Sequence, residues 1–98
     1  MQIKIHPAYR NITALTDTNL IGKTFTEGRK QIEVIEKFFK DKEVSKKEAI
    51  KILKDMEKED STFFIVGKES IETAIEAGVI NKHSTMTIDN IPIALGLF

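Results

Sequence analysis

The stretch SKKEAIKILKDMEKEDSTFFIVG, residues 45–67, predicts a helix followed by a buried strand, and the remaining elements can be placed around this pair. Ser45 can cap the helix, and Glu48, three residues later, completes a capping box. The helix then presents one apolar stripe, formed by Ala49, Ile52, Leu53 and Met56. Glu59 and Asp60 end the helix in solvent.

A strand and a second helix follow. The strand, Thr62 to Val66, is rich in β-branched and aromatic residues and stops at Gly67. The second helix runs from about Lys68 to Ala77, and Gly78 supplies a left-handed terminus. Its apolar positions are Ile71, Ala74 and Ile75. The pattern also predicts a last strand from Thr85 to Asp89, with one face formed by Met86 and Ile88.

The amino-terminal segment predicts a hairpin. Ile3 and Ile5 alternate with polar residues as in a half-buried strand, and Pro7 ends this strand because its ring nitrogen cannot donate a hydrogen bond. The β-branched run Ile12 to Thr16 predicts the partner strand, and the polar residues 17–19 then turn the chain.

Residues 29–40 fit two structures. Strand-like alternation is shown by Ile32, Val34 and Phe38, whereas near-helical spacing is shown by Ile32, Ile35 and Phe39. We favour a strand because the β-branched and aromatic content is high and the polar residues 40–42 make a natural stop.

These elements predict a single α+β (mixed α/β) domain over residues 1–98, in the order β-β-β-α-β-α-β. About five strands form a small mixed sheet, whose second half is expected to hold at least one parallel pair, made by a right-handed crossover, beside the antiparallel amino-terminal hairpin. Two helices pack on one face of this sheet. If the other face is also apolar, as Phe38 with Phe39 and Phe63 with Phe64 indicate, a homodimer could cover it.

Composition indicates a cytoplasmic protein. The 98 residues contain no cysteine, which fits a reducing interior, and 15 Lys and Arg residues balance 15 Asp and Glu residues. Neither a signal peptide nor an apolar run long enough to span a membrane is evident. Thirteen of the 15 cations are lysine, a bias that fits either a hyperthermophile or an AT-rich genome.

The turn Gly22-Lys23-Thr24 imitates the end of a phosphate-binding loop. The glycine that such a loop needs five positions earlier is replaced by Asp17, so the full phosphate cradle is excluded. An anion could still contact Lys23 and the backbone N–H groups of this turn, although a glycine turn needs no ligand. Asp17 itself is interpreted as a side-chain-to-backbone cap rather than a catalytic base.

Catalysis is not favoured by the residues. His6 and His83 have no further ligands at metal-binding spacing, and no serine lies in a nucleophile motif. No cofactor loop is present, and the carboxylates Glu57, Glu59 and Asp60 are interpreted as a solvated helix end. We therefore expect no metal, no cofactor and a non-catalytic binding role.

The leading hypothesis is association with RNA or with ribonucleoprotein, including the translation machinery. Residues 1–30 carry five basic and two acidic residues, and Tyr9 and Phe25 lie beside cations as base stacking requires. The predicted nucleic-acid-binding residues are Arg10, Lys23, Phe25, Arg29 and Lys30. The lysines of the first helix are interrupted by acidic residues, which favours a solvated face over a phosphate-binding stripe.

The alternative hypothesis is a protein–protein interaction module or homodimer. Its docking surface would be an apolar sheet face or the carboxy-terminal run from Ile93 to Phe98.

Several short motifs together resemble a known family. They are Asp17-x-x-Leu20-Ile21-Gly22-Lys23-x-Phe25, Ile32-x-Val34-x-Glu36-x-Phe38-Phe39, Val66-Gly67-Lys68-Glu69, Glu76-Ala77-Gly78-Val79-Ile80 and Ile91-Pro92. Over nearly its whole length the chain is similar to the small archaeal family called domain of unknown function 424. The resemblance implies a compact α+β protein without an established activity, for which RNA binding has been suggested, and it carries over no catalytic residue.

Overall fold

The centre of the fold is a six-stranded mixed sheet, seen in a computed structural model that describes residues 1–96. The described residues form eight strands, of which β3 and β4 make a separate two-stranded sheet. The strands are β1 (Gln2–His6), β2 (Ile12–Thr16), β3 (Thr24–Glu27), β4 (Lys30–Glu33), β5 (Lys42–Glu43), β6 (Thr62–Val66), β7 (Met86–Ile88) and β8 (Ile91–Gly96). The helices are α1 (Glu36–Phe39), α2 (Lys46–Lys58) and α3 (Lys68–Glu76). Short 3-10 turns lie at Thr18–Leu20 and Lys82–Ser84.

The strand order in the main sheet is β5-β1-β2-β6-β8-β7. The predicted hairpin is confirmed, since β1 pairs antiparallel with β2. The prediction of a parallel pair within the second half of the chain is wrong, because β6 pairs antiparallel with β8, and the parallel partner of β6 is the hairpin strand β2. In that pair Ile12 lies opposite Thr62 and Thr16 lies opposite Val66, so β2 and β6 end at the same edge of the sheet. The mixed α+β class is therefore confirmed.

Both predicted helices pack on the same face of the sheet. Leu53 of α2 and Ala74 of α3 are fully buried against Leu15 and Ile65 of the sheet, in one core cluster. The predicted capping box at Ser45 is present, because its side chain accepts the Glu48 N–H while the Glu48 carboxylate accepts the Ser45 N–H. The periodicity of residues 45–67 therefore predicted this layer correctly.

The capping box makes part of the stability depend on pH. Hydrogen bonds from the Ser45 backbone and side chain hold the pKa of Glu48 below its ordinary value of 4.5. A carboxyl with a lowered folded-state pKa stabilises the fold above its unfolded pKa, and this contribution disappears as pH falls through the folded pKa. We expect Glu48→Gln to lower the urea midpoint at pH 7. At pH 3 we expect a smaller difference in urea midpoint between the wild type and this variant. Glu57→Gln on the same helix is the control, and an equal pH response of both variants would contradict this assignment.

The opposite face of the sheet is covered by the chain itself. The β3–β4 hairpin and α1 pack there, and Ile32, Val34 and Phe39 join Ala14 and Val66 in a second core cluster. The second sheet face is apolar, as the sequence indicates, but residues of the same chain cover it, so it is not an open docking surface. Homodimerisation stays a prediction without that surface.

The preference for a strand over residues 29–40 is only partly correct. Only Lys30–Glu33 is a strand, and its hairpin partner Thr24–Glu27 was not predicted. The single turn of α1 then places the Phe39 side chain in the core, where it is 1% exposed. One short strand followed by one helical turn produces both periodicities at once, which is why the pattern was ambiguous.

A further strand, β8, lies beyond the strand that was predicted to be the last. Asp89 and Asn90 both have positive φ and form a two-residue turn that joins β7 to β8. This hairpin places Ile88 opposite Ile91, so the Pro92 nitrogen faces β6 and not β7. Because β6 ends at Val66, that nitrogen is not needed as a donor, and the Pro92 carbonyl accepts the Gly67 N–H at 2.9 Å.

The predicted docking tail is thus largely part of the sheet. Ile93, Ala94 and Gly96 are buried in β8, while Leu95 is exposed. Leu97 and Phe98 lie outside the described residues.

Along residues 1–96 no helix is both long and apolar enough to cross a bilayer.

Candidate nucleic-acid interface

Arg10, the first of the predicted RNA-binding residues, makes an internal contact. Its Nε donates to the Asp60 carbonyl and its Nη2 to the Asp60 carboxylate, both at 2.8 Å. Asp60 has a φ of 58°, so the guanidinium also secures a left-handed residue between α2 and β6. Arg10 consequently lies at the end of the sheet where β2 and β6 begin.

The other predicted residues lie on or beside the β3–β4 hairpin. Phe25 is half-buried against the second core cluster, and Lys30 lies opposite Glu27 in the register. The Glu27 carboxylate accepts the Asp89 N–H at 3.0 Å, which ties this end of the hairpin to the β7–β8 turn. Lys23 precedes β3 and Arg29 occupies the turn before β4, so they lie at opposite ends of the hairpin. The structure therefore does not bring the five predicted residues onto one surface.

The turn Gly22-Lys23-Thr24 uses its first two backbone amides within the fold. Gly22 adopts a φ of 83° and donates its N–H to the Val34 carbonyl at 2.8 Å. The Lys23 N–H donates to the Leu20 carbonyl at 3.1 Å. An anion at this turn would be held by the Lys23 ammonium and not by these two amides.

Asp17 caps α3, a different element from its own turn. Its carboxylate accepts the Ser70 N–H at 2.8 Å, the Ser70 hydroxyl at 2.7 Å and the Glu69 N–H at 3.2 Å. Gly67 leaves room for this carboxylate, since a Cβ there would lie 2.4 Å from Asp17 Cγ. The cap interpretation of Asp17 is confirmed, and the carboxylate is committed to a structural role.

His6 is held against α1. His6 Nε2 lies 2.7 Å from the Phe38 carbonyl, and its ring stacks on Phe38 at a centroid distance of 4.2 Å. In the described part of the chain, no group of three His, Asp or Glu side chains is placed to hold a metal ion.

A row of exposed lysines lies along α2. At about 100° per residue, Lys47, Lys51, Lys54 and Lys58 fall within about 60° of one another around the helix axis. All four are exposed, and none of the ion pairs formed among residues 1–96 includes them. We call this row the α2 lysine stripe; the 11 residue steps from Lys47 to Lys58 extend about 16 Å along the helix.

The acidic residues of α2 lie to the sides of the stripe. Glu48 and Asp55 lie about 80–100° round the helix on one side and Glu57 about 80° on the other. The sequence pattern was interpreted as alternating charge because these residues intervene along the chain. The spacing of four, three and four residues between successive lysines places them on one face of the helix. This spacing distinguishes the lysines from the acidic residues that lie between them in the sequence.

The α3 side of the stripe is bordered by negative charge. Lys46 pairs with Glu76 of α3 at 2.8 Å, and this hydrogen bond and charge raise the pKa of Lys46 above its ordinary value. Glu72 and Glu69 add to the effect. The α2 lysine stripe is therefore the positive part of a helical layer whose other helix is acidic.

An exposed aromatic residue lies near the carboxy-terminal end of the stripe. Arg10 contacts Asp60, which follows the last residue of α2 by two positions, and Tyr9 next to Arg10 is fully exposed. Cations and an exposed aromatic ring therefore occur at the same end of the molecule.

The fold and this surface define a small α+β protein with a mixed sheet, covered on both faces, and a lysine-lined helix. The chain belongs to the family described as Protein of unknown function (DUF424), which matches residues 6–96 and confirms the resemblance. The fold is similar to that in "Crystal structure of an uncharacterized conserved protein from Methanopyrus kandleri", with a TM-score of 0.82 and 19% identity. That match covers 96% of this chain and 87% of the other. Among curated proteins, no match to the chain was found.

Proposed function

We propose that this protein binds single-stranded RNA through the α2 lysine stripe, as a cytoplasmic, non-catalytic component associated with RNA or with translation. The single observation that carries the proposal is the alignment of four exposed, unpaired lysines along one line of a rigid helix, within residues 1–96. A backbone of regularly spaced phosphates is the ligand that complements such a line, because each ammonium replaces a condensed counterion.

The aromatic residue near the stripe favours a single strand over a duplex. Tyr9 is fully exposed, and unstacked bases of single-stranded RNA stack on such rings. A duplex would keep its bases stacked on each other and leave this ring unused.

Salt dependence provides the first test. With four phosphate contacts on a single strand, the slope of log affinity against log salt is expected to be about −3. Fluorescence anisotropy with a labelled oligouridine, at several salt concentrations, measures this slope. Affinity that does not change with salt would overturn the proposal.

A pair of matched variants locates the surface. Lys51→Gln with Lys54→Gln removes two charges from the stripe and is expected to weaken binding on the order of 20-fold at 0.1 M salt and to flatten the slope by about 1.4. Lys23→Gln with Arg29→Gln removes the same charge from the β3–β4 hairpin and is expected to change affinity less than twofold. A larger loss in the hairpin variant would assign binding to the residues predicted from the sequence.

A further inference from the structure

A groove opens at the edge of the sheet beside α2. Its cavity, of about 250 Å³, is lined by Ile3, Ile5, Ile52, Asp41 and Lys42. Ile5 is 38% exposed and Ile52 is half-buried, so the floor is apolar but open to solvent. We call this cavity the edge groove.

The edge groove exists because β5 is too short to cover β1. β5 pairs only with Gln2 and Ile3, which leaves the second half of β1 without a strand neighbour on that side among the described residues. Ile5 follows Ile3 on the face that α2 covers. The gap between this half-strand and α2 is therefore a property of the fold, fixed by rigid elements on two sides.

The edge groove is continuous with the α2 lysine stripe. A second cavity, of about 320 Å³, shares Lys42 and Ile52 with it and is also lined by Lys51 of the stripe. A strand whose phosphates follow the stripe could therefore place one base in the groove. The cavity is smaller than the roughly 300–1,000 Å³ pockets that hold drug-sized ligands, which suits a single base.

The polar side chains that line the groove are one carboxylate, Asp41, and one ammonium group, Lys42. An ionised carboxylate only accepts hydrogen bonds, so it selects a base edge with adjacent donors. Guanine presents N1–H and N2–H side by side, whereas adenine, cytosine and uracil place an acceptor next to each donor on the Watson–Crick edge. Lys42 and Lys51 supply two positive charges beside the groove, next to the carboxylates Glu48 and Asp55 that also line the second cavity.

On these grounds, and resting on the proposed RNA binding, we propose that the edge groove binds one guanine base of the bound strand. The base plane lies against Ile5 and Ile52, and its N1–H and N2–H donate to the Asp41 carboxylate. The protein is therefore selective for guanine at one position of an otherwise unselected strand.

Heptamers test this selectivity. Labelled U7, and U3XU3 with X as guanine, adenine, cytosine or inosine, are titrated with the full chain at 0.1 M salt. The guanine heptamer is expected to bind about tenfold more tightly than the adenine and cytosine heptamers. Inosine lacks the N2 amino group and is expected to lose most of this preference.

Two matched variants assign the preference to a residue. Asp41→Asn is expected to remove the preference for guanine and to leave the affinity for U7 within twofold. Asp55→Asn makes the same change at the neighbouring cavity and is expected to keep the preference. Thermal unfolding of both variants confirms that they are folded.

The outcomes separate the two proposals. Equal binding of all heptamers, with the expected salt slope, would overturn guanine selection and leave RNA binding intact. A preference that survives Asp41→Asn would also overturn it. Failure to bind any heptamer would overturn both proposals.

Discussion

Replacement of Gly67 by alanine is expected to lower the free energy of unfolding by about 4 kcal/mol. Gly67 has a φ of 112° and a ψ of 153°, a region that only glycine adopts without strain, and this strain costs about 1–3 kcal/mol. The new Cβ would also meet the Asp17 carboxylate, which cannot move without losing its three hydrogen bonds to α3. Such overpacking adds about 1–3 kcal/mol. Urea denaturation followed by circular dichroism measures the change.

The control is the same substitution in a chain without the carboxylate. Asp17→Ala alone leaves the buried Ser70 hydroxyl and two α3 amides without their acceptor and is expected to cost about 2 kcal/mol. In that background Gly67→Ala meets no carboxylate, so only the backbone strain remains and its cost falls to about 2 kcal/mol. Strictly additive effects would contradict a contact between the two sites.

The Asp17 cap shows where prediction from sequence succeeds and where it ends. A turn-forming aspartate with a capping role was predictable from the residue type. Its target was not, because Ser70 lies 53 positions away and is reached only through the parallel pairing of β2 with β6. Local signals therefore identified the kind of interaction, and the topology decided its partner.

The elements with strong local signals were predicted well. The capping box at Ser45, the glycine after α3 and the hairpin before Thr16 are all present. The segments that were mispredicted depend on distant contacts, above all β3 with α1, which are short, and β8. Pro92 interrupts the apolar carboxy-terminal run, so β8 was not predicted as a strand. The Pro92 nitrogen nevertheless faces a position where no hydrogen-bond donor is required.

The surface of the protein was harder to predict than its core. The predicted set treated Arg10 and Lys23 as members of one basic patch, but they lie at opposite ends of β2. The α2 lysine stripe was also missed, because the charges were counted along the sequence. Asp55 lies between two of the lysines in sequence but to one side of them on the helix. Placement on a helix, more than net charge, decides whether cations act together.

Replacement of Phe39 by alanine is expected to cost about 3–5 kcal/mol of stability, the range for a large aromatic side chain removed from a core. Phe39 is the largest fully buried side chain among the described residues, with an edge-to-face contact to Phe64 at a centroid distance of 5.3 Å. It also anchors the single turn of α1 on the sheet face that the β3–β4 hairpin covers. We therefore expect the loss of this side chain to loosen the hairpin as well as to lower the urea midpoint, with faster amide exchange over residues 24–33.

Phe38→Ala is the matched control because it removes the same side chain from the adjacent position. Phe38 is only half-buried and stacks on His6 at the surface, so its removal is expected to cost about 1–2 kcal/mol and to leave amide exchange in the hairpin unchanged. Equal losses in the two variants would show that α1 does not hold the hairpin on the sheet. The larger loss of stability expected for Phe39→Ala follows from the orientation of the two side chains. The turn of α1 directs Phe39 into the core and leaves the neighbouring Phe38 at the edge of the core.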